Sequence, residues 1–507
     1  MKDKTGMRHK IKIDQGQARA AVAGACLVVV AACSGSDASQ VGANTSVSDV
    51  ADSQAVDTEI VTKIEEPAEA ETLSSKSQTE SPEPKYETAG SQALFDQSVV
   101  RTFEINLSAE SLAKLDADPA AEEYVEGSLT FDGETIERIG VRYKGSIGAF
   151  LGCTEGPNPF EPSGAKTCSK LSIKLKINWD GADTEFYGQR KVQLHSMNND
   201  PTLMRERLGY LMFAEAGVPS PRATHARVVI NDEFVGLFAL IEQIDGQFAR
   251  DRFSDGNGNL YKEVWPFDAD GEVQSIEVLI DGLKTNEKDD PSTDLTRSLA
   301  SEILDSGATT DAAAARRVLG ERTEMDSFVA YAVVDRAINH DDGPFHWYCS
   351  STCEAHNYYL YEEPAADVLH IIPWDLDNAM QNWTPDDANP IAQFTKIADE
   401  FGEISNDCQP FQFGGLAPPQ RSAACDPLTA AWSLLDEEFD RINAEFRSGP
   451  FAIENVSELL ESWRTQIAPH VAVAADADPQ ALTVDVWNAS LDQLLADIAA
   501  EPSRQES

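Results

Sequence analysis

Two apolar, aromatic and β-branched runs, Asn357–Tyr361 (NYYLY) and Val368–Ile372 (VLHII), flank a polar link that contains Pro364. Runs of this kind, bounded by turn residues, predict a β-hairpin. Polar side chains gather at its ends. Asn339, Asp341 and Asp342 precede it, Asn357 opens the first strand, and Asp375 and Asp377 follow the second. A short hairpin brings Asn357, Asp375 and the preceding Asp341 to one end of a sheet. Oxygen ligands of this type suit hard divalent cations such as magnesium, held by one or two carboxylates together with phosphate oxygens. The competing reading makes Trp374 and the hairpin core and the carboxylates a solvated loop. Against it, carboxylates beside a buried-looking Ile-Ile-Pro-Trp run are rarely placed inside without partners.

Arg101–Leu107 alternates as a strand, and a short helix capped by Ser108 follows it. Two alternating runs joined at Asp132-Gly133 predict a hairpin. It leads into Arg142–Ser146, where Lys144 and Gly145 either approach phosphates or form an ordinary basic strand end. From Lys170 to Ile177, Leu171, Ile173, Leu175 and Ile177 share one face, and Lys170, Ser172, Lys174 and Lys176 share the other. The lysine face is either a solvated outer surface or a site where Lys174 neutralises nucleotide phosphates. Asp200-Pro201 predicts a helix start and Gly217-Val218-Pro219 its end. Arg205 and Glu206 on that helix are polar candidates for pairing a lysine, although helix charges usually lie at the surface. A second hairpin, around Asn231-Asp232, runs into Glu242–Asp245 in the manner of a hinge. Residues 272–325 read as largely helical, Met325–Ile338 as a strongly apolar helix, and 428–500 as helical again. Strands first and helices afterwards predict an α+β fold rather than a βαβ repeat.

Composition narrows the function classes. The chain has 507 residues and a formal net charge of −46, which argues against nucleic acid as a partner because phosphate binding needs basic clusters. Residues 1–32 read as a signal peptide: six basic side chains precede an apolar run, Ala20–Ala32, too short to span a bilayer. Val30-Ala31-Ala32-Cys33-Ser34 resembles the lipobox of bacterial lipoproteins, which predicts lipidation of Cys33 and a location in the cell envelope on the extracytoplasmic side. Residues 33–93 are rich in Ser, Ala, Glu, Thr and Pro and read as a disordered acidic tether. Order is expected over 94–500, with 501–507 a tail. Six cysteines beyond Cys33 fall in close pairs, predicting local disulfides 153–168, 349–353 and 408–425 in an exported protein. Zinc is the rival reading, with no C-x-x-C pair to support it.

The order of parts around the first hairpin is that of a protein-kinase catalytic segment: an Asp near the substrate hydroxyl, an Asn on a metal, a hairpin, then an Asp on magnesium. The usual H-R-D and D-F-G letters are absent. A series of blocks nevertheless resembles the CotH family of atypical secretory protein kinases. The blocks are VRYKGS (141–146), KLSIKLKIN (170–178), FYGQRKVQLHSMNNDPTLMRERLGYLMFAEAGVPSP (186–221), VVINDEFVGLFALIEQID (228–245), GNLYKE (258–263), INHD (338–341), NYYLY (357–361) and IPWDLD (372–377). The resemblance implies an atypical protein-kinase-like two-lobed fold, with a strand-rich N-terminal lobe over 94–245 and a helix-rich C-terminal lobe over 246–500. It also implies ATP- and magnesium- or manganese-dependent phosphorylation of Ser or Thr in exported proteins. Asp341 matches the family's catalytic Asp and Asp375 its metal-binding Asp. Asn357, Asp377, Lys174 and Glu242 match family-typical positions, the first two for metal and the others, with Lys144, for nucleotide. Two other functions stay open: an envelope binding or assembly lipoprotein without turnover, and a calcium-stabilised surface protein. The cell envelope, rather than a spore, is the setting the N-terminus implies.

Overall fold

The computed structural model describes residues 90–145, 148–158, 161–289, 291–340, 342–349, 352–380, 408–410 and 419–505. The expected signal segment, Cys33, most of the tether and the catalytic candidate Asp341 lie outside the described residues. Among the described residues no helix is long and apolar enough to cross a membrane.

The first half of the chain closes a barrel in the order β1-β2-β3-β4-β5-β7-β6. Its strands are β1 (Arg101–Leu107), β2 (Val125–Phe131), β3 (Glu134–Tyr143), β4 (Ile173–Lys176), β5 (Lys191–His195), β6 (Ala223–Ile230) and β7 (Glu233–Ile241). All neighbours are antiparallel except β1 and β6, which pair in parallel from Arg101 opposite Ala226 to Ile105 opposite Ile230. Both expected hairpins form, with Phe131 opposite Glu134 and Ile230 opposite Glu233. Helix α1 (Ala109–Ala117) begins at Ser108, whose side chain accepts from the Ser111 N–H, as the sequence implied.

Strand β4 is shorter than the alternating run that predicts it. Lys170 turns its ammonium onto the Leu237 carbonyl at 2.9 Å and over the Phe238 ring, while its own carbonyl accepts from Asn198. Its carbonyl is therefore satisfied outside the ladder. Helix α2 (Arg205–Glu215) also starts later than Asp200-Pro201 suggests. Asp200 folds a turn instead: one carboxylate oxygen accepts from the Thr202 N–H and the other reaches the Arg205 N–H, both at 2.9 Å. Leu203 lies at φ 60 between them, and a left-handed residue interrupts a right-handed helix.

Side-chain alternation along β7 divides the apolar interior in two. Phe238 and Leu240 point into the barrel with Phe103, Ile105 and Leu175. Leu237, Ala239 and Ile241 point outward into a second, larger core, as a period of two requires. That core is built on α2 and the helices that follow: α3 (Gly246–Arg252), α4 (Asp294–Ser306), α5 (Ala312–Arg322), α6 (Met325–Ala337), α7 (Pro427–Trp432), α8 (Asp436–Ser448), α9 (Ile453–Ala477) and α10 (Val484–Gln505). Helix α9 packs on the outer side of β7. Within this half, β8 (Leu260–Lys262), β11 (Tyr358–Glu363) and β12 (Val368–Pro373) make a small antiparallel sheet. Another joins β9 (His346–Cys349), β10 (Cys353–Glu354) and β13 (Gln420–Ser422). The molecule is thus α+β, strand-rich first and helix-rich afterwards. The three disulfides pair as expected: Cys153 with Cys168, Cys349 with Cys353 and Cys408 with Cys425.

Candidate active site

The hairpin β11–β12 carries Asn357 immediately before its first strand and Asp375 two residues after its second. Tyr358 pairs with Pro373, and the Trp374 N–H donates to the Asn357 carbonyl at 3.1 Å, so both polar residues stand at one end of the sheet. Both also hold left-handed backbone, φ 58 for Asn357 and φ 57 for Asp375. Such residues cost of order 1–3 kcal/mol each and persist where the surroundings over-determine them. Here the Asp375 N–H donates to the Tyr210 hydroxyl of α2 at 3.0 Å, and the Asn357 N–H to Glu263 at 3.2 Å.

Further carboxylates converge on this end. The Asn357 amide nitrogen donates to the Asp342 carbonyl at 2.9 Å and to its carboxylate at 2.7 Å. Asp342 is buried, and its other carboxylate oxygen has no hydrogen-bond partner. Burial pushes its carboxyl up, and the charge on Asp375 adds to that, while His356 and His340 oppose it. Asp377 is pushed well up by burial, then by Asp375, Glu206 and Asp342, against Arg205. Glu206, on the first turn of α2, is pushed well up by burial and by Asp375, against Lys144. Four acids therefore compete for one region of negative charge, an arrangement that favours a bound cation. Among the described residues no three carboxylate, imidazole or thiolate groups enclose a metal by themselves.

The barrel supplies the opposing charge. Lys144, just past β3, hydrogen-bonds Gln193 at 2.9 Å and His195 at 2.6 Å and lies over the Trp374 ring. Burial lowers its ammonium to about 8, and the charges on Asp375 and Glu206 work the other way. Lys262 on β8 joins from below the hairpin: burial opposes its charge, but Glu263, Tyr359 and Asp375 leave it raised. Lys174 stands opposite Arg142 on β3 and Gln193 on β5. Burial lowers it to about 7, followed by its neighbours Lys144, Lys191 and Arg142, with Asp245 opposing.

The structure thus brings together Asn357, Asp375, Asp377 and Lys144, with Lys174 one strand further along the same face. Glu242 is placed otherwise. Its side chain is fully buried, and its carboxylate is taken by Arg222 and Arg252 rather than by Lys144 or Lys174. Removing one member of a buried charge cluster leaves the others uncompensated. Glu242→Ala is accordingly expected to destabilise the fold by roughly 3–5 kcal/mol, measured by denaturant unfolding; a loss below about 1 kcal/mol, the range of exposed ion pairs, would contradict this placement. Asp341 lies outside the described residues. The sequence singles out none of His195, Tyr210 and Lys262, and offers Glu206 as a lysine-pairing candidate, which the structure joins to Lys144 through His195. Helix α2 is buried continuously from Glu206 to Tyr210, which its polar-looking R-E-R start conceals.

The family described as CotH kinase protein matches residues 141–500, a range that takes in every residue of the cluster. Inner spore coat protein H of Bacillus subtilis (strain 168) is 24% identical over 204 residues, covering 38% of this chain and 50% of that protein. The inner spore coat protein H-like protein of the same organism is 34% identical over 67 residues, 13% of this chain and 21% of that protein. The match therefore spans half the length of the first relative and about a fifth of the second. With the family matched over most of its length, and with a site built from the same blocks, the chain belongs to the CotH kinase protein family.

Proposed function

We propose that this chain is an envelope-anchored protein kinase that transfers the γ-phosphate of ATP to Ser or Thr of exported proteins. The observation that carries the reading is the meeting of Asn357, Asp342, Asp375 and Asp377 at the end of the hairpin with Lys144 from the barrel. The separate barrel and helical cores support a two-lobed, kinase-like arrangement.

The donor set is all oxygen, and one buried Asp342 oxygen is unpartnered, so magnesium or manganese fits here, held by Asp375, Asn357 and Asp377. Bound there, the ion would neutralise phosphate charge. Lys144, and Lys174 beside it, would offset the remaining phosphate charge. Asp341, matched to the family's catalytic position, would orient the acceptor hydroxyl and take its proton. Phosphoryl transfer asks little covalent chemistry of a protein, and positioning with charge stabilisation supplies most of the effect. Incubation of the mature chain with labelled ATP and magnesium or manganese tests the reading. Autophosphorylation or transfer to a basic Ser-rich protein is expected. A folded chain that incorporates no label with either metal contradicts it, in favour of an assembly protein without turnover.

The three disulfides support an extracytoplasmic location, and the lipobox-like sequence supports an anchor on Cys33. Cys33→Ser is expected to release the protein from the membrane fraction or leave its signal unprocessed. A variant that stays with membranes at full mature mass contradicts the anchor.

A further inference from the structure

In the candidate site Lys144 and Glu206 do not touch directly. A histidine stands between them. Strand β5 places Gln193 and His195 on one face, two residues apart, and Lys144 donates to Gln193 Oε1 at 2.9 Å and contacts His195 Nε2 at 2.6 Å. On the far side of the ring, His195 Nδ1 lies 2.7 Å from Glu206 Oε1. An ammonium only donates, so Nε2 must accept and Nδ1 must carry the proton that Glu206 accepts. That assigns one tautomer of a neutral imidazole. The ring is buried and packs edge-on against Trp374, the residue before Asp375, which fixes its plane.

We propose that His195 is a positioning residue for Lys144, an imidazole bridge to Glu206 that holds the ammonium beside Asp375 with one N–H left for an anionic ligand. A lysine has three such donors; Gln193 and His195 take two. A direct ion pair with Glu206 would draw the ammonium toward α2, whereas a neutral acceptor holds its direction and leaves its charge unspent. Gln193 contributes to the same end. Its Oε1 is committed to Lys144, and its Nε2 is buried without a hydrogen-bond partner, a second donor beside the first. Two donors set together, one from the end of β3 and one from β5, suit a phosphate oxygen. The identity of that anion, a nucleotide phosphate, rests on the kinase reading; the bridge itself does not.

The test has two arms on the mature chain. Nitrogen-15 NMR of the histidine rings reads which nitrogen of His195 carries the proton, with Lys144→Met used to assign the resonance by its effect on Nε2. Calorimetry with magnesium and a non-hydrolysable ATP analogue, and steady-state transfer, are then compared for the parent, His195→Gln and His195→Phe. Glutamine keeps a donor and an acceptor; phenylalanine keeps the ring and loses both. His195→Phe is expected to weaken nucleotide binding about 10- to 100-fold, the loss of a hydrogen bond to a charged group. The effect falls on KM for ATP more than on kcat, and His195→Gln restores most of it. An Nε2–H tautomer in the parent overturns the proposal whether or not the variants fold. So does a folded His195→Phe that binds nucleotide as the parent does, or a glutamine variant no better than phenylalanine. A parent with the Nδ1–H tautomer that binds no nucleotide supports the bridge and overturns the kinase reading instead.

Discussion

Asp375→Asn is expected to weaken magnesium-dependent nucleotide binding by at least ~100-fold, since outer-shell changes alone cost 10- to 100-fold in metal affinity. It should remove phosphoryl transfer with it. The substitution exchanges an anionic carboxylate for a neutral amide of the same shape. It leaves the fold alone for two reasons. Asparagine tolerates the left-handed backbone that Asp375 adopts at φ 57, and the Tyr210 contact is made by the backbone N–H. Loss of one charge also relieves Asp377 and Glu206, both of which Asp375 pushes upward. Thermal stability should therefore hold or rise slightly while binding falls. A variant that loses stability and binding together would mean that Asp375 is structural.

Asp341→Asn is expected to divide the two functions. If Asp341 acts on the acceptor hydroxyl, its amide variant keeps nucleotide and magnesium binding and loses phosphoryl transfer by roughly 10²–10⁴, the range of a positioned general base. Nucleotide affinity by calorimetry and transfer of labelled phosphate, measured on one preparation, check this. Parallel loss of binding would move Asp341 into the metal site. Unchanged transfer would remove it from the reaction.

Local structure was legible where a residue pattern has one physical solution. The NYYLY and VLHII runs form the hairpin that carries Asn357 and Asp375, the two-residue turns at Asp132 and Asn231 form where expected, and the cysteines close the loops they flank. The closure of the barrel was not legible. It depends on parallel pairing of Arg101–Ile105 with Ala226–Ile230, segments more than a hundred residues apart with no local signal linking them. The start of α2 was missed because Asp200 caps at a distance, through a turn. The lysines show the limit for charge. Spacing in KLSIKLKIN put three of them on one face, but the charge on Asp375 bears on Lys144, which the sequence reads either as approaching phosphates or as an ordinary strand end. Likewise Glu242 sits at a hinge-like acid position, yet only the fold reveals the arginine clamp that occupies it.

A metal-dependent nucleotide site at the hairpin end and the barrel lysine would bind ATP only with a divalent ion present. Calorimetric titration of the mature chain with a non-hydrolysable ATP analogue, in magnesium and then in excess chelator, tests it most directly. The expected result is saturable binding in magnesium that is lost in chelator and lost in Asp375→Asn. Binding that is absent in the folded parent, or equal in parent and variant with and without the metal, would contradict it.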